Sequence, residues 1–556
     1  MNRAALILTV LLATSLARTT AQTAARVPAA QVPAACGQTL EQKAWMFQGQ
    51  KDWFFYGDEL SGTWTGRPWK DARATFVPGA ARLHAALKAR GVQVVLAPVP
   101  PRSFVVPQHL NPASAGQKAF DPAAATAFYQ GLVGDLRAAG IPTADLLTPA
   151  RTLGDAGLFR QDIHWTPEGA QAAARAVASA MQAGGVPAGP ESYLSLRAGT
   201  LTRQVQDQPV LGQISSLCSL NVTPETFGDY QTRPAQGLVA APGNFGGSEG
   251  KVRWAFGPVA SVTFNAAQAA TVTVNVIFEN PVKDQTVEVL LGGKVIDTIS
   301  GLQPCQNVTR SWTVNAVAGS NTLDFRFADY NGGRTSFAPG DGRPMAVIFK
   351  TLTLTGPGGS ADLVSDGAQG AGLLGGAADT VLVGASSSLP NLNFAGFLQE
   401  SLGRRVDNVS FGGAGAYSSM KDYLQDDAFR SAPPKILIWQ IPLLGGEDTA
   451  ESDLRFLLAA ARGGTEVARA TGNGSAAVSL GGVSGVSARV RVTNPAVRTV
   501  TFKVTGERGT REFRVTNSDR MTHRQDFQLD LSDLGQLSAV QVSADSALDL
   551  RVTRAN

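Results

Sequence analysis

The stretch Asp379–Gln399, DTVLVGASSSLPNLNFAGFLQ, decides the fold. Its first residues form a short apolar run. A Gly384-Ala385-Ser386 turn follows, and then Phe394, Phe397 and Leu398 recur at helical spacing until Gly403 supplies a stop. A buried strand feeding a tight turn and a helix is the repeating unit of a parallel α/β sheet. A serine at that junction stands at the carboxyl end of the sheet, where such folds bind ligands, with backbone N–H groups of the helix start near enough to stabilise an oxyanion. A plainer reading makes Ser386, Ser387 and Ser388 a capping cluster.

Working outward, four further runs read as buried strands: Val92–Pro100 (VQVVLAPVP), Ile141–Leu147 (IPTADLL), Arg405–Phe411 (RVDNVSF) and Lys435–Pro442 (KILIWQIP). Helical patterns lie between them, such as Ala125–Gly140, ATAFYQGLVGDLRAAG, so a three-layer α/β domain with a parallel sheet is expected. Its two parts span residues 36–235 and 377–445. Between them, residues 236–356 alternate with period two between Gly and Asn turns, the pattern of an inserted β-sandwich, and a Gly-rich linker is expected over 357–376. Residues 446–556 show the same alternation and read as a C-terminal β-sandwich, a candidate carbohydrate-binding module. At 556 residues, several domains of roughly 150 residues are expected.

The second chemical signal is Arg160–Ala170, RQDIHWTPEGA. Thr166 reads as a helix N-cap and Pro167 as the first helical residue, so Asp162 and His164 fall on the loop before a helix. A carboxylate bonded to one ring nitrogen fixes the imidazole tautomer and frees the other nitrogen to act as a base. The alternative is that both residues only cap or solvate the helix start.

Other functions are disfavoured by composition. The four histidines are far apart, with no Cys or His at ligand spacing, so no metal is expected. A net charge of +4 is small for this length and gives no reason to expect nucleic-acid binding. Met1–Ala21 reads as a secretory signal peptide: one early Arg, an apolar run from Ala4 to about Ala13 that is shorter than the ~20 residues of a membrane span, then small residues. Periplasmic or secreted localisation follows, and disulfides become permissible. Cys36, Cys218 and Cys305 allow three pairings.

Taken together, DIHWTPEGA, VLVGASSS, NVSFGGAGAYSSMKDYL, ILIWQIP, GQKDWFFYGDEL and LAPVPPRSFVVP resemble the SGNH-hydrolase-like domain of periplasmic alginate O-acetyltransferases of the AlgX and AlgJ type. In that family the Asp-x-His motif precedes the serine, as here. The resemblance implies a triad of Asp162, His164 and Ser386, with Ser386 chosen because the family's G-x-S-x-S begins at Gly384. It also implies oxyanion donors from Ser386 and the Gly412–Gly415 loop (Gly412 and Gly413 foremost), a Cys36–Cys218 disulfide that leaves Cys305 free, and no cofactor. The implied reaction moves an acetyl group, supplied by a membrane-bound acyltransferase partner, through an acetyl-serine to an exopolysaccharide hydroxyl. Two departures leave the acceptor open between alginate and another polysaccharide. Gln440 follows the Trp of the IWxIP strand where the family carries an acid, and the 236–356 insert is foreign to those enzymes. Arg102, in PPRS, is expected either to hold an acidic sugar or to be a solvated loop residue. Trp53, Phe54 and Phe55 are expected in the core. An acetyl esterase and a non-catalytic polysaccharide-binding scaffold are the alternative functions.

Overall fold

The computed structural model describes residue 28 and residues 32–202, 209–235, 238–249, 251–357, 359–364, 378–445 and 449–554. The expected signal peptide and most of the expected linker lie outside the described residues. Among the described residues no helix is long and apolar enough to cross a membrane.

Four parallel strands form the sheet of the α/β unit: β1 (Gln93–Val99), β2 (Thr380–Val383), β3 (Val406–Asn408) and β4 (Ile436–Pro442), in spatial order β3-β2-β4-β1. Every residue of Val94–Ala97 and of Ile436–Ile441 is buried. Successive side chains of a strand point to opposite faces, so unbroken burial requires cover on both. That cover comes from α1 (Trp69–Ala89), α2 (Pro167–Ala183), α3 (Phe394–Leu402), α4 (Ser418–Gln425) and α5 (Ala450–Arg462). Phe76, Val177, Phe397, Met420 and Leu454, one from each helix, belong to a single hydrophobic core with the sheet. Trp53 and Phe55 join it, and Phe54 is equally buried in a neighbouring cluster, as expected of core residues.

Two of the expected strands are shortened. Ile141–Leu147 reaches β1 but makes only one parallel bridge, Leu96 with Thr143. The Tyr129 hydroxyl then accepts the Leu146 N–H, and the Asp145 carboxylate accepts those of Leu147 and Thr148, which turns the chain into a helix at Leu147. Arg405–Phe411 pairs only over Val406–Asn408, because Ser410 donates its N–H to the Asn408 side chain instead of to a ladder.

An unanticipated ribbon, Tyr193–Thr202 against Thr226–Pro234, leads into the insert. The insert consists of two antiparallel sheets, of five and six strands, sharing one core whose members all lie between Leu238 and Val364. Its last strand, Gly359–Asp362, falls in the expected linker, so the β unit runs past the Gly356 boundary. The C-terminal region departs further from expectation. It opens with helix α5, and its six strands form one hydrogen-bonded sheet instead of two. The final strand, Leu537–Arg554, pairs with Thr465–Val483 along one side; along the other it pairs first with Thr499–Gly506 and then with Val486–Val492.

Cys36 and Cys218 form a disulfide joining the helices Ala34–Ala44 and Pro209–Cys218, and Cys305 is free and exposed in the insert.

Candidate active site

All four sheet strands are parallel, so the loops leaving their carboxyl ends converge. Val99–Pro101 at the end of β1, Ala385–Ser387 after β2, Gly413 and Gly415 after β3, and Pro442 with Leu444 at the end of β4 line one cleft of about 280 Å³ together with Ile163. This is where the sequence reading places the serine.

Ser386 opens a single 3-10 turn directly after β2. Side chains from four other segments hold that turn. Gln440 Oε1 accepts the Ala385 N–H at 2.8 Å and the Ser388 hydroxyl at 3.2 Å. Ser419 donates to the Gly384 carbonyl, Trp165 Nε1 to the Ser387 carbonyl and Asn408 Nδ2 to the Ser388 carbonyl. A Cβ on Gly384 would stand 2.5 Å from Gln440 Oε1, so a residue without a side chain is required there. Gln440, read from sequence only as a departure, is thus part of the nucleophile's support, and Asn408 also steadies it.

Asp162 and His164 arrive on the loop before α2. Thr166 caps the helix as expected, accepting the Gly169 N–H, and also donates to the Ala156 carbonyl, anchoring the loop's exit. Asp162 is fully buried, with both carboxylate oxygens 2.9 Å from His164 Nδ1. His164 Nε2 lies 2.7 Å from Ser386 Oγ. Residues 222 positions apart therefore form a continuous acid–imidazole–hydroxyl line at the cleft. With Asp162 on Nδ1, the tautomer protonated there leaves Nε2 as acceptor of the serine proton.

Arg102 is corrected by the structure: it is neither in solvent nor at the cleft surface. Pro101 starts a one-turn helix that carries the guanidinium fully inward, where it pairs with the buried Glu59 carboxylate at 2.6 Å. It also donates to the carbonyls of Phe54, Phe159 and Arg160, the last two at the root of the Asp162 loop. Burial, the largest single influence, would lower its pKa; the charge and hydrogen bonds of Glu59, together with the charges of Tyr56 and Asp162, outweigh it and hold the group above the ordinary value. The neighbouring Tyr56 hydroxyl is pushed up, first by burial and then by the charge of Asp162. Glu225 braces the same loop by accepting the N–H groups of Arg160 and Gln161.

Gly412 and Gly413 lie on the loop after β3, and Gly413 lines the cleft. A Cβ on Gly412 would lie 4.0 Å from that of Ser386, and Gly413 has φ +75°, a conformation suited to glycine. Beside them is a residue no motif announced: Arg520, from the C-terminal region, donates through Nη1 to the Gly412 carbonyl at 2.7 Å. Among the described residues no His, Cys, Asp and Glu cluster suited to a metal ion occurs.

The sequence profile of the family described as "SGNH hydrolase-like domain, acetyltransferase AlgX" matches residues 46–251 and 358–443, together just over half of the chain. The chain belongs to this family. The gap between the matched AlgX blocks falls on the two-sheet insert. The alginate biosynthesis protein AlgX of Pseudomonas fluorescens is 42% identical over 102 residues, 18% of this chain and 19% of that protein. The probable alginate O-acetylase AlgJ of Pseudomonas syringae pv. tomato is 35% identical over 136 residues, 23% and 34% of the two chains. The chain thus spans about a fifth of the length of the AlgX relative and a third of the AlgJ relative. The solved structure of Pseudomonas aeruginosa AlgX superposes with TM-score 0.55 at 18% identity, covering 96% of this chain and all of that one, a likeness of fold.

Proposed function

We propose that this chain is an exported O-acetyltransferase that carries an acetyl group on Ser386 to a hydroxyl of an exopolysaccharide. The observation that supports this most directly is the 2.7 Å contact of His164 Nε2 with Ser386 Oγ, backed by buried Asp162, in a cleft at the carboxyl ends of the strands. His164 Nε2 takes the Ser386 proton as Oγ attacks the acetyl carbonyl of a donor ester. The tetrahedral oxyanion accepts hydrogen bonds from the Ser386 and Gly413 N–H groups. Collapse expels the donor alkoxide, which takes the proton from His164 and leaves acetyl-Ser386. An acceptor hydroxyl then gives its proton to His164, attacks the acetyl carbon and releases Ser386, which recovers the proton. No step calls for a metal or nucleotide cofactor.

Delivery of the donor by a membrane-bound acyltransferase partner and a periplasmic or secreted location extend this reading from the family resemblance. Ester hydrolysis is the competing outcome, because Ser386 is only partly buried and water reaches the same carbonyl. The test is purified protein with an activated acetyl ester and candidate oligosaccharides, read by mass spectrometry for acetyl on the Ser386 peptide and on the sugar. Ser386→Ala should lose both signals, and Asp162→Asn should lower turnover by up to ~10⁴ through the wrong imidazole tautomer. Acetyl transfer that persists in Ser386→Ala would remove the mechanism.

A further inference from the structure

The C-terminal sheet touches the catalytic unit at one place of chemical consequence. Its segment Ser518–Gln525 lies against α4, where the N–H groups of Thr522 and His523 donate to the Asp422 carboxylate at 3.0 and 2.8 Å. Lys421 Nζ donates to the Thr516 carbonyl, and Gln528 reaches Gln425. From this docked segment Arg520 extends to the loop Phe411–Tyr417 and donates to the Gly412 carbonyl. A Cβ on Gly413 would stand 3.4 Å from the guanidinium carbon, so the arginine packs directly over the peptide joining Gly412 to Gly413.

A trans peptide directs its C=O and N–H oppositely, so fixing one fixes the other. The Gly412 carbonyl is fixed by Arg520, and the N–H on the far side of that peptide belongs to Gly413, which lines the cleft with Ser386. The two consecutive glycines have no side chain to restrain this peptide, and rotation about their φ and ψ meets little steric resistance. Without an external contact, the orientation of the Gly413 N–H would be set by a flexible Gly-Gly unit. A preorganised oxyanion donor costs no reorganisation when charge develops, whereas a freely rotating one does.

Resting on the acetyl-serine reading above, we propose that Arg520 is a positioning residue for catalysis: from the C-terminal sheet it locks the Gly412–Gly413 peptide so that the Gly413 N–H faces the developing oxyanion. The oxyanion site is then completed by a region that carries no triad member.

The test is steady-state hydrolysis of a small activated acetyl ester, too small to span from the cleft to the C-terminal sheet, by the full chain and by Arg520→Ala and Arg520→Met. Arg520 is exposed, and its side chain hydrogen-bonds to the Gly412 carbonyl, so melting temperature should be unchanged. The proposal expects kcat to fall about 10- to 100-fold in both variants with KM unaltered, short of the 10²–10³ that deleting an oxyanion donor costs. Arg520→Lys, which keeps one donor, should recover part of the loss. Wild-type kcat in both variants overturns the proposal. If acetyl transfer to polysaccharide alone then falls, Arg520 holds the acceptor and not the oxyanion loop. Ser386→Ala in parallel separates the two readings: if it is active the mechanism itself fails, and if it is dead while Arg520→Ala is fully active only the positioning role fails.

Discussion

The insert and the C-terminal region look alike in sequence, as alternating strands between Gly and Asn turns, yet they are attached in opposite ways. The insert closes its core among its own residues, from Leu238 to Val364. The C-terminal sheet shares its core with the α/β unit through α5. On that helix Leu454, Leu457 and Ala461 pack into the α/β core, Phe456 into the C-terminal one, and Ala460 against both. A buried ion pair, Lys421 with Asp453, and the Asp422 contacts fasten the same joint. Strand periodicity reports that a region forms strands. It does not report whether the region stands alone, because that depends on which helix face its neighbours bury.

This contrast is open to direct attack, most severely by deletion. Removing residues 463–556 should abolish ester hydrolysis and cooperative melting of the α/β unit, since Phe456 and the buried Lys421–Asp453 pair lose their cover. Replacing residues 236–364 with a short Gly-Ser bridge should leave hydrolysis of a small ester intact. The cut must run to 364 because Gly359–Asp362 is a strand of the insert. Loss of activity in a folded insert deletion would break the contrast.

Single residues sharpen it. Phe456→Ala and Phe278→Ala each empty a fully buried site and should cost about 3–5 kcal/mol. Only the first should lower the melting of the α/β unit, as followed by loss of ester hydrolysis on heating; the second should act on the insert alone. Lys421→Ala strands a buried carboxylate and should cost about 3–5 kcal/mol, whereas replacing Lys421 with Met and Asp453 with Leu together should cost much less.

Reducing the disulfide comes next. The Cys36–Cys218 bridge closes a loop of 182 residues, all before the insert, and its loss should cost about 2–4 kcal/mol in denaturant melts of the α/β unit while leaving the insert's transition in place. The smallest effect is expected from Lys350→Ala, which breaks a half-exposed pair with Glu279 on the insert surface; calorimetry should register no more than about 1 kcal/mol.

What could be read from sequence follows from how local each feature is. The β2 turn with Ser386, the Thr166–Pro167 helix start and the Gly403 stop are written in consecutive residues, and the structure shows each of them. The disulfide came only with the family resemblance, since spacing left three pairings. Three features resisted for separate reasons. Arg102 stands in a Pro-rich stretch that reads as loop, and its burial depends on Glu59, 43 residues earlier. Helix α5 carries Leu454, Leu457, Leu458 and Ala461 at helical spacing closed by Gly463, a legible signal masked by the strands that follow. Arg520 lies 108 residues from the carbonyl it holds, on a turn with no motif of its own.

The pairing of β1 with β4 has a kinetic consequence. Gln93 aligns with Ile436, about 340 residues later, so the last edge of the central sheet cannot close until nearly the whole α/β unit has been made. Until then the β4-facing side of β1, apolar beyond Gln93, is left without its partner, the kind of surface that seeds aggregation. The insert lies inside that gap and has a core of its own. A core that closes among its own residues replaces more than a hundred residues of loose chain with a compact body wherever it forms before the sheet, which shortens the effective loop that must be closed for β2 and β4 to reach β1. Removal of the insert should therefore change the yield and rate of refolding more than the ester hydrolysis of the protein that has folded.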